Sequence, residues 1–580
     1  MTLLDATPVG QPADALDAAR APTSQIPTPS RNASLPFRRG GFSTLCEALD
    51  YAARGETGIN FFDGRGRLVE ALSWRALRER AQSFARRLIG AGMEPGERLL
   101  LIADTWPGFC VAFFGAQYAA VVPVPVATPV GFGAMAGYVA NLKRQIAASG
   151  ATAVLAPDGL AVIAEHAAAE AGIGLAGSMA RFEALPEPAV PLRRMTGGQR
   201  CYIQFSSGST RLPLGVDIFQ DRLMANIDGS LASQKVGADD SAASWLPLYH
   251  DMGLIGFLLA PVCAQRSVDL MPTADFARRP LQWLSMISRR RATITYSPGF
   301  GYDLAARRAA TGVPDGLDLS CLKIAGIGAD MIHAASLDRF AAAFAPAGFN
   351  RNAFLASYGM AELCVGLSFG RRGAGVRFDS VDEDRTRQFA VCGAVMADHS
   401  VEIRDGAGTI GVDGRVGRLF VQGPSVMPGY FDQPEASASA LVDGWLDTGD
   451  LGYWRAGELV ITGRAKDLMI VNGRNIWPQD LEWAVEALPR LRRGDACAFA
   501  VDDGSGEQVV LLVQAPTEGP AETADMLGAI REAVKHAASI DCRIVMLSRR
   551  HRLPVTSSGK LSRTRARDSF LAGELGAVAA

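Results

Sequence analysis

The feature that most constrains this chain is a repeated alternation of short apolar runs with helical stretches. Runs of strand length lie at residues 98–103, 121–126, 151–157, 267–271, 292–296 and 322–326. Strands buried on both faces read as continuous apolar runs, and strand–helix–strand connections place such strands parallel. Between them, Ser73 is positioned as an N-cap. Leu77, Ala81, Phe84 and Leu88 then fall on one helical face before Gly90 and Gly92 end it. A small-residue helix is expected over 109–118. No repeat of fixed period interrupts the pattern. After about Gly393 the character changes to short strands with Gly-rich turns, at 401–403, 417–422 and 458–462. From Lys466-Asp467 onward a self-contained segment is expected. It holds a strand at 468–471, a helix opening near Pro478, strands at 496–501 and 508–514, a long helix over 521–537 and a strand at 543–547. The fold class is therefore α/β: a large layered N-terminal domain with mostly parallel sheets plus a β-rich subdomain, and a small mobile C-terminal α+β domain. The expected divisions are a disordered tail over 1–35, rich in Ala, Pro, Ser and Thr, a large domain over 36–465 and the small domain over 466–580.

Composition narrows the function classes. Lys and Arg number 58 against 60 Asp and Glu, a formal net charge of −2. That balance offers no field to recruit nucleic acid or an anionic membrane. The nine cysteines are scattered, odd in number and without a C-x-x-C pair, which points to a reducing compartment and no zinc site. The N-terminus lacks the pattern of a secretory signal. The longest apolar stretch, at 253–263, is too short to span a bilayer. These readings predict a cytoplasmic protein with no integral membrane association.

Several segments carry chemistry. Ser206, Ser207, Gly208, Ser209 and Thr210 form a hydroxyl- and glycine-rich loop after a short β-like run, a composition that cradles phosphates. It is not the Walker pattern, because no Lys follows the glycine at the required place, and taken alone such a stretch is as often merely a loop. His250-Asp251 sets a titratable ring beside an acid, followed by glycine; a lone His is more often structural. Tyr358-Gly359-Met360-Ala361-Glu362 combines an aromatic face able to stack on a base with a carboxylate suited to Mg²⁺, or else forms a strand-to-helix turn with a core Tyr. Asp450, in a Gly turn after Trp445, could accept hydrogen bonds from sugar hydroxyls, or mark a hairpin. Arg464-Ala465-Lys466-Asp467 offers a guanidinium for phosphate or ribose, or a solvated charge run. Lys560 ends a flexible Thr-Ser-Ser-Gly-Lys loop, where most lysines are simply solvated.

Together and in this order, these segments resemble the adenylate-forming superfamily of acyl ligases, peptide-synthetase adenylation domains and luciferases, over residues 42 to 567. Within it they look most like the fatty acyl-AMP ligases. The loop reads Ser-Gly-Ser-Thr-Arg-Leu-Pro-Leu-Gly, where coenzyme A ligases usually carry Gly and Lys in place of Arg211 and Leu214. The Leu-Pro-Leu-Tyr-His-Asp-Met-Gly-Leu-Ile-Gly segment and Asn475-Ile476-Trp477-Pro478-Gln479-Asp480-Leu481-Glu482 are similar to that family's versions, as are Phe42-Ser43-Thr44-Leu45 and the Phe61–Gly66 stretch.

The resemblance implies an acyl-adenylate synthetase fold. It also implies an ATP- and Mg²⁺-dependent reaction in which a fatty acid becomes acyl-AMP with release of pyrophosphate. Transfer to the phosphopantetheine thiol of an acyl carrier protein follows. By carry-over, Lys560, His250 and Glu362 are catalytic, with Glu362 as the metal ligand. Ser206 to Thr210, Gly328, Ala329, Asp330, Tyr358, Gly359, Met360, Asp450 and Arg464 bind ATP or AMP. Met252, Gly253, Ile255, Gly256 and Phe300 line the acyl pocket, and Lys466 and Asp467 form the hinge. No Phe-Asp-x-Ser pattern marks an amino-acid substrate, so an aliphatic carboxylate of medium to long chain is expected.

The sequence also departs from that family. The link from Glu362 to Cys392 is short, which favours free coenzyme A as acceptor. Arg418 stands where many relatives have Glu, and Gly299 where they often have Asn. The alternative enzyme is an acyl-coenzyme A ligase; a catalytically silent adenylate-binding protein would not need Lys560.

Overall fold

A computed structural model describes residues 26–129, 135–205, 214–380, 387–406, 408–409, 412–471, 474–502, 507–515, 519–547, 553–556, 560–575 and 577–579. Its spine is a large sheet whose first half is parallel. Gly58–Phe62, Val268–Leu270, Ala242–Ser244, Ile294–Ser297, Ile324–Ile327 and Phe354–Tyr358 lie side by side in that order. Beyond Phe354–Tyr358 the sheet turns antiparallel. It continues through Ser368–Phe369, Phe389–Val395, Glu458–Arg464, Trp445–Arg455, Gly417–Gln422 and Ser400–Asp405. This antiparallel half is the β-rich subdomain expected after Gly393. A second parallel sheet orders Val122–Val126, Arg98–Ile102, Ala153–Leu155 and Leu175–Gly177.

The helices form for local reasons. The helix Trp74–Gly90 starts where the Ser73 hydroxyl accepts from the Ala76 amide at 3.1 Å, a cap worth about 1 kcal/mol. Leu77, Ala81, Phe84 and Leu88 turn inward as their spacing predicts. The helix Pro107–Ala119 is buried along its whole length, which is why its sequence is apolar on every face. The apolar stretch at 253–263 is helical too. It passes from Asp251–Leu254 into a π-helical turn, Ile255–Leu259, and on to Ala260–Cys263. Among the described residues no helix is long and apolar enough to cross a membrane.

Part of the expected tail is held in place. Residues 26–35 run along the large sheet, where Thr28 is buried and its amide donates to Asn60 Oδ1 at 2.8 Å. Arg290 donates to the Thr28 carbonyl at 2.8 Å, and the Asn32 carboxamide oxygen accepts from the Glu56 and Thr57 amides. Polar contacts, which composition does not reveal, anchor this apolar-poor strap.

The C-terminal segment has its own cores, around Leu481, Leu511 and Ile530 on one side of its sheet and Phe499, Leu512 and Val545 on the other. Its sheet orders Ala496–Asp502, Glu507–Val513, Arg543–Leu547 and Ala577–Ala579. The helices Pro478–Glu486, Pro520–Ala538 and Arg563–Leu571 accompany it.

Candidate active site

One continuous cavity of about 1570 Å³ opens along the carboxyl ends of the parallel strands and runs under the C-terminal segment. It exceeds the usual size of a single small-molecule site. His250-Asp251, Tyr358 to Glu362, Asp450, Arg464 to Asp467 and Lys560 all reach it.

At the strand end Phe354–Tyr358, the Tyr358 hydroxyl donates to Asp450 Oδ2 at 2.6 Å. Asp450 was expected in a turn. It lies within the long strand Trp445–Arg455, paired with Arg464, where Gly449 adopts φ +71° and the register with Gly417–Gln422 shifts. Arg464 Nε stands 3.6 Å from Asp450 Oδ1. Burial pushes the Asp450 carboxyl up, while Arg464, Tyr358 and Lys560 pull it back.

Past Tyr358 the chain turns through Gly359 and Met360 into the short 3-10 turn Ala361–Leu363. This presents Glu362 to the cavity, where Tyr430 donates to its Oε1 at 2.9 Å. Burial raises the Glu362 carboxyl above its ordinary value, against the pull of Tyr430 and Arg464. A buried carboxylate facing the cavity suits a hard divalent cation, and Mg²⁺ characteristically takes one or two carboxylates plus phosphate oxygens. Among the described residues no group of three or more His, Cys, Asp or Glu side chains forms a protein-only cage.

His250 Nδ1 lies 2.5 Å from Asp251 Oδ1. The Met252 amide donates to the same carboxylate oxygen at 2.6 Å. Burial alone would push Asp251 up, but His250, Lys560 and the Met252 amide together hold it below the usual carboxylate value.

Lys560 reaches the same cavity from the C-terminal segment. Its carbonyl accepts from the Thr556 amide at 2.7 Å, and its own amide donates to the Thr556 hydroxyl at 3.2 Å. Burial lowers the ammonium, and Arg464 adds to that, while the carboxylates of Asp330, Asp251 and Asp450 oppose it. Lys560 therefore faces the same carboxylates that line the strand ends.

A channel leaves this centre. Ile227, Ser230, Leu231 and Gln234, on one face of the helix Gln220–Ser233 and its cap, line the cavity together with Ile255, Gly256, Ala260 and Ala264. Tyr296 and Ile294 line it too. The distance along the helix from Ile227 to Gln234 is about 10 Å at the helical rise. At the far end the Tyr296 hydroxyl donates to Gln234 Oε1 at 2.8 Å.

Of the residues expected at the acyl pocket, Met252, Ile255, Gly256 and Phe300 line this cavity. Gly253 does not. A Cβ there would lie 2.2 Å from the Pro247 carbonyl oxygen, so this glycine admits backbone rather than ligand. Gly256 has nothing within 4 Å of the same position and leaves the channel open. Ala329 and Asp330 line the cavity, whereas Gly328 packs against the Ser357 carbonyl. Lys466 and Asp467 also line it, in the short turn Ala465–Asp467.

Ser206, Ser207, Gly208, Ser209 and Thr210 lie outside the described residues. The strands on either side, Arg200–Phe205 and Gly215–Phe219, pair antiparallel, and Phe205 and Leu214 both line the cavity. Sequence reasoning missed Tyr430, whose motif Met427-Pro428-Gly429-Tyr430 carries no ionisable group but Tyr itself. It also missed Arg493, which lies in a plain surface-like turn.

Comparison with known proteins agrees with this geometry. The AMP-binding enzyme family matches residues 56–431. A putative acyl-CoA synthetase of Caulobacter vibrioides is 46% identical over 93% of this chain and 97% of its own. A long-chain-fatty-acid–AMP ligase of Mycolicibacterium smegmatis is 30% identical over 89% of this chain and 91% of its own. A solved structure from studies of fatty acyl-adenylate ligases of E. coli and L. pneumophila superimposes with a TM-score of 0.88 at 39% identity, covering 93% of this chain and all of that one. The chain belongs to the AMP-binding enzyme family, within the adenylate-forming superfamily, and is an enzyme built on the fold of the fatty acyl-adenylate ligases.

Proposed function

We propose that this enzyme activates a fatty acid with ATP, forming acyl-AMP and pyrophosphate, and then passes the acyl group to a phosphopantetheine thiol on an acyl carrier protein. The observation that carries this reading is the convergence of Lys560, Asp450, Glu362 and His250 on one cavity whose wall also includes Ile227, Leu231, Ile255 and Phe257. A carboxylate oxygen of the fatty acid attacks the α-phosphorus, and the bond from phosphorus to the bridging oxygen breaks as pyrophosphate leaves. Catalysis of such a step is positioning plus electrostatic stabilisation.

In this reading Tyr358 stacks on adenine, with the backbone of Gly328-Ala329-Asp330 on the other side. Asp450, fixed by Tyr358 and Arg464, accepts from the ribose hydroxyls. Ser206 to Thr210 hold the outer phosphates. Glu362, oriented by Tyr430, is the protein ligand for Mg²⁺. Bound Mg²⁺ would neutralise charge on the phosphate oxygens. Lys560 spans the acyl carboxylate and the α-phosphate, a shared position that suits a compact ammonium. His250, steadied by Asp251, guards the mouth of the channel. An extended chain advances roughly 1.2 Å per bond, so the stretch from Ile227 to Gln234 takes about eight bonds and a medium-length chain fits.

Relatives support either thiol. The Mycolicibacterium smegmatis protein is a fatty-acid–AMP ligase by name, and a relative from Moorena producens is a medium-chain-fatty-acid–[acyl-carrier-protein] ligase. The Caulobacter vibrioides relative and the short Glu362–Cys392 link favour coenzyme A as a second reading. Mass spectrometry separates them. Enzyme, ATP, Mg²⁺ and a fatty-acid panel are supplied with coenzyme A or with a phosphopantetheinylated carrier protein. Acyl-adenylate that moves to the carrier and not to coenzyme A is expected. Efficient acyl-coenzyme A formation would establish the second reading, and no adenylate from any acid would overturn both.

A further inference from the structure

Gly299 is the departure from the family pattern that the proposed chemistry leaves unused. Its neighbourhood is occupied from the other side of the molecule. Arg493, in the turn before the strand Ala496–Asp502 of the small domain, inserts its guanidinium beside Gly299. A Cβ at position 299 would lie 2.6 Å from Arg493 Nη1. The guanidinium meets Asp303 Oδ2 and the Ser336 hydroxyl at 3.4 Å, donates to the Met331 carbonyl at 3.2 Å and stands 3.7 Å from Asp330. Its side chain is 16% exposed and that of Asp303 is 2%. Arg339 and the Ser336 hydroxyl already bind Asp303, at 2.7 and 2.8 Å. The socket is thus prebuilt on the large domain, and the fork of an Arg fills it from several directions at once.

This turn is rigidly tied to Lys560. The Gly494 amide donates to Glu486 Oε1 at 2.6 Å, at the end of the helix Pro478–Glu486. One turn back on that helix, Glu482 is clamped by Arg563 at 2.6 and 2.9 Å. Arg563 follows Lys560 by three residues. Other contacts across the seam are Trp483 against His333, with ring centroids 4.6 Å apart, and Arg387 to Asp480 at 2.8 Å.

We infer that Arg493 is a positioning residue: seated in the socket of Gly299, Asp303, Met331 and Ser336, it locks the small domain in the orientation that delivers Lys560 to the cavity. It serves adenylate formation and not acyl transfer. The inference rests on the ligase reading for its kinetics but not for its geometry.

The test uses the full-length enzyme and separates the half-reactions. Adenylation is read by fatty-acid-dependent ATP–pyrophosphate exchange, and transfer by release of acyl groups from added dodecanoyl-adenylate to coenzyme A or to a phosphopantetheinylated carrier protein. In Arg493→Ala, adenylation kcat is expected to fall about tenfold to a hundredfold, the penalty of a misplaced catalytic group. The loss should fall mainly on kcat, with a smaller change in KM for ATP, because Arg493 acts through Lys560 more than through the nucleotide. Transfer should be unchanged or faster. Arg493→Lys should restore part of the loss, and Gly299→Val, which fills the socket with Arg493 intact, should reproduce it. A fluorescence distance between labels on the two domains should lengthen in Arg493→Ala and Gly299→Val alike, whether or not a substrate has been found. Equal losses in both half-reactions, an unchanged adenylation rate or an unchanged inter-domain distance would overturn the inference. Absence of adenylation in the wild type, with the distance still responding, would fault the ligase reading alone.

Discussion

At the scale of single residues, the active site depends on charges held where water would not leave them. Lys560 is the clearest case. Burial and Arg464 lower its ammonium below the ordinary lysine value. The sign follows directly. A lowered folded-state value means that the proton is lost at lower pH than in the unfolded chain, so the reactive cation disappears as pH rises through that lowered value. Because kcat/KM reports groups of the free enzyme, its alkaline limb for adenylation should fall below the ordinary lysine range. In Lys560→Arg, whose guanidinium stays charged, the residual activity should lack that limb. An identical limb in both enzymes would assign it to another group. Asp450 and Glu362 show the complementary arrangement, in which burial raises a carboxyl and a tyrosine hydroxyl steadies it.

At the scale of elements, the π-helical turn Ile255–Leu259 governs the channel. It brings Gly256 to the cavity wall, where its Cβ position faces open space. Gly256→Leu should therefore keep the melting temperature and shorten the acyl chain accepted. Selectivity between a long and a short acid should shift by about tenfold or more, from added steric contact along the chain. Unchanged chain-length selectivity would remove Gly256 from the channel wall.

The helix Pro478–Glu486 offers a second element-scale test. Burial pushes its last carboxyl, Glu486, up to about 8, from an ordinary 4.5. A raised folded-state value contributes stability that is complete at low pH and is lost as pH rises between those two values. Glu486→Gln, which keeps an acceptor for the Gly494 amide, should flatten the fall in melting temperature between about pH 5 and pH 8. An unaltered pH profile would contradict the assignment.

These elements also mark how far sequence reaches. The Trp74–Gly90 helix and the parallel strands were legible because periodicity and capping are local. That Tyr358, Glu362, Asp450 and Lys560 share one cavity was legible because the resemblance fixes their motifs. Tyr430 and Arg493 were not, because their partners lie 68 and 190 residues away and only packing unites them. Gly253 was misread because glycine marks room for backbone and room for ligand alike.

At the scale of the whole molecule, the C-terminal segment closes over the strand ends and completes a site that neither part holds alone. The central claim is that this closed arrangement makes an acyl-adenylate and that Lys560 is the residue it delivers. The most direct measurement is fatty-acid-dependent ATP–pyrophosphate exchange in the wild type and in Lys560→Ala, alongside transfer from added acyl-adenylate. Exchange is expected in the wild type only when a fatty acid is present. A loss on the order of 3 kcal/mol is expected in the variant, comparable to removing one oxyanion donor, with transfer retained. Exchange at the wild-type rate in Lys560→Ala, or no exchange with any acid, would contradict the claim.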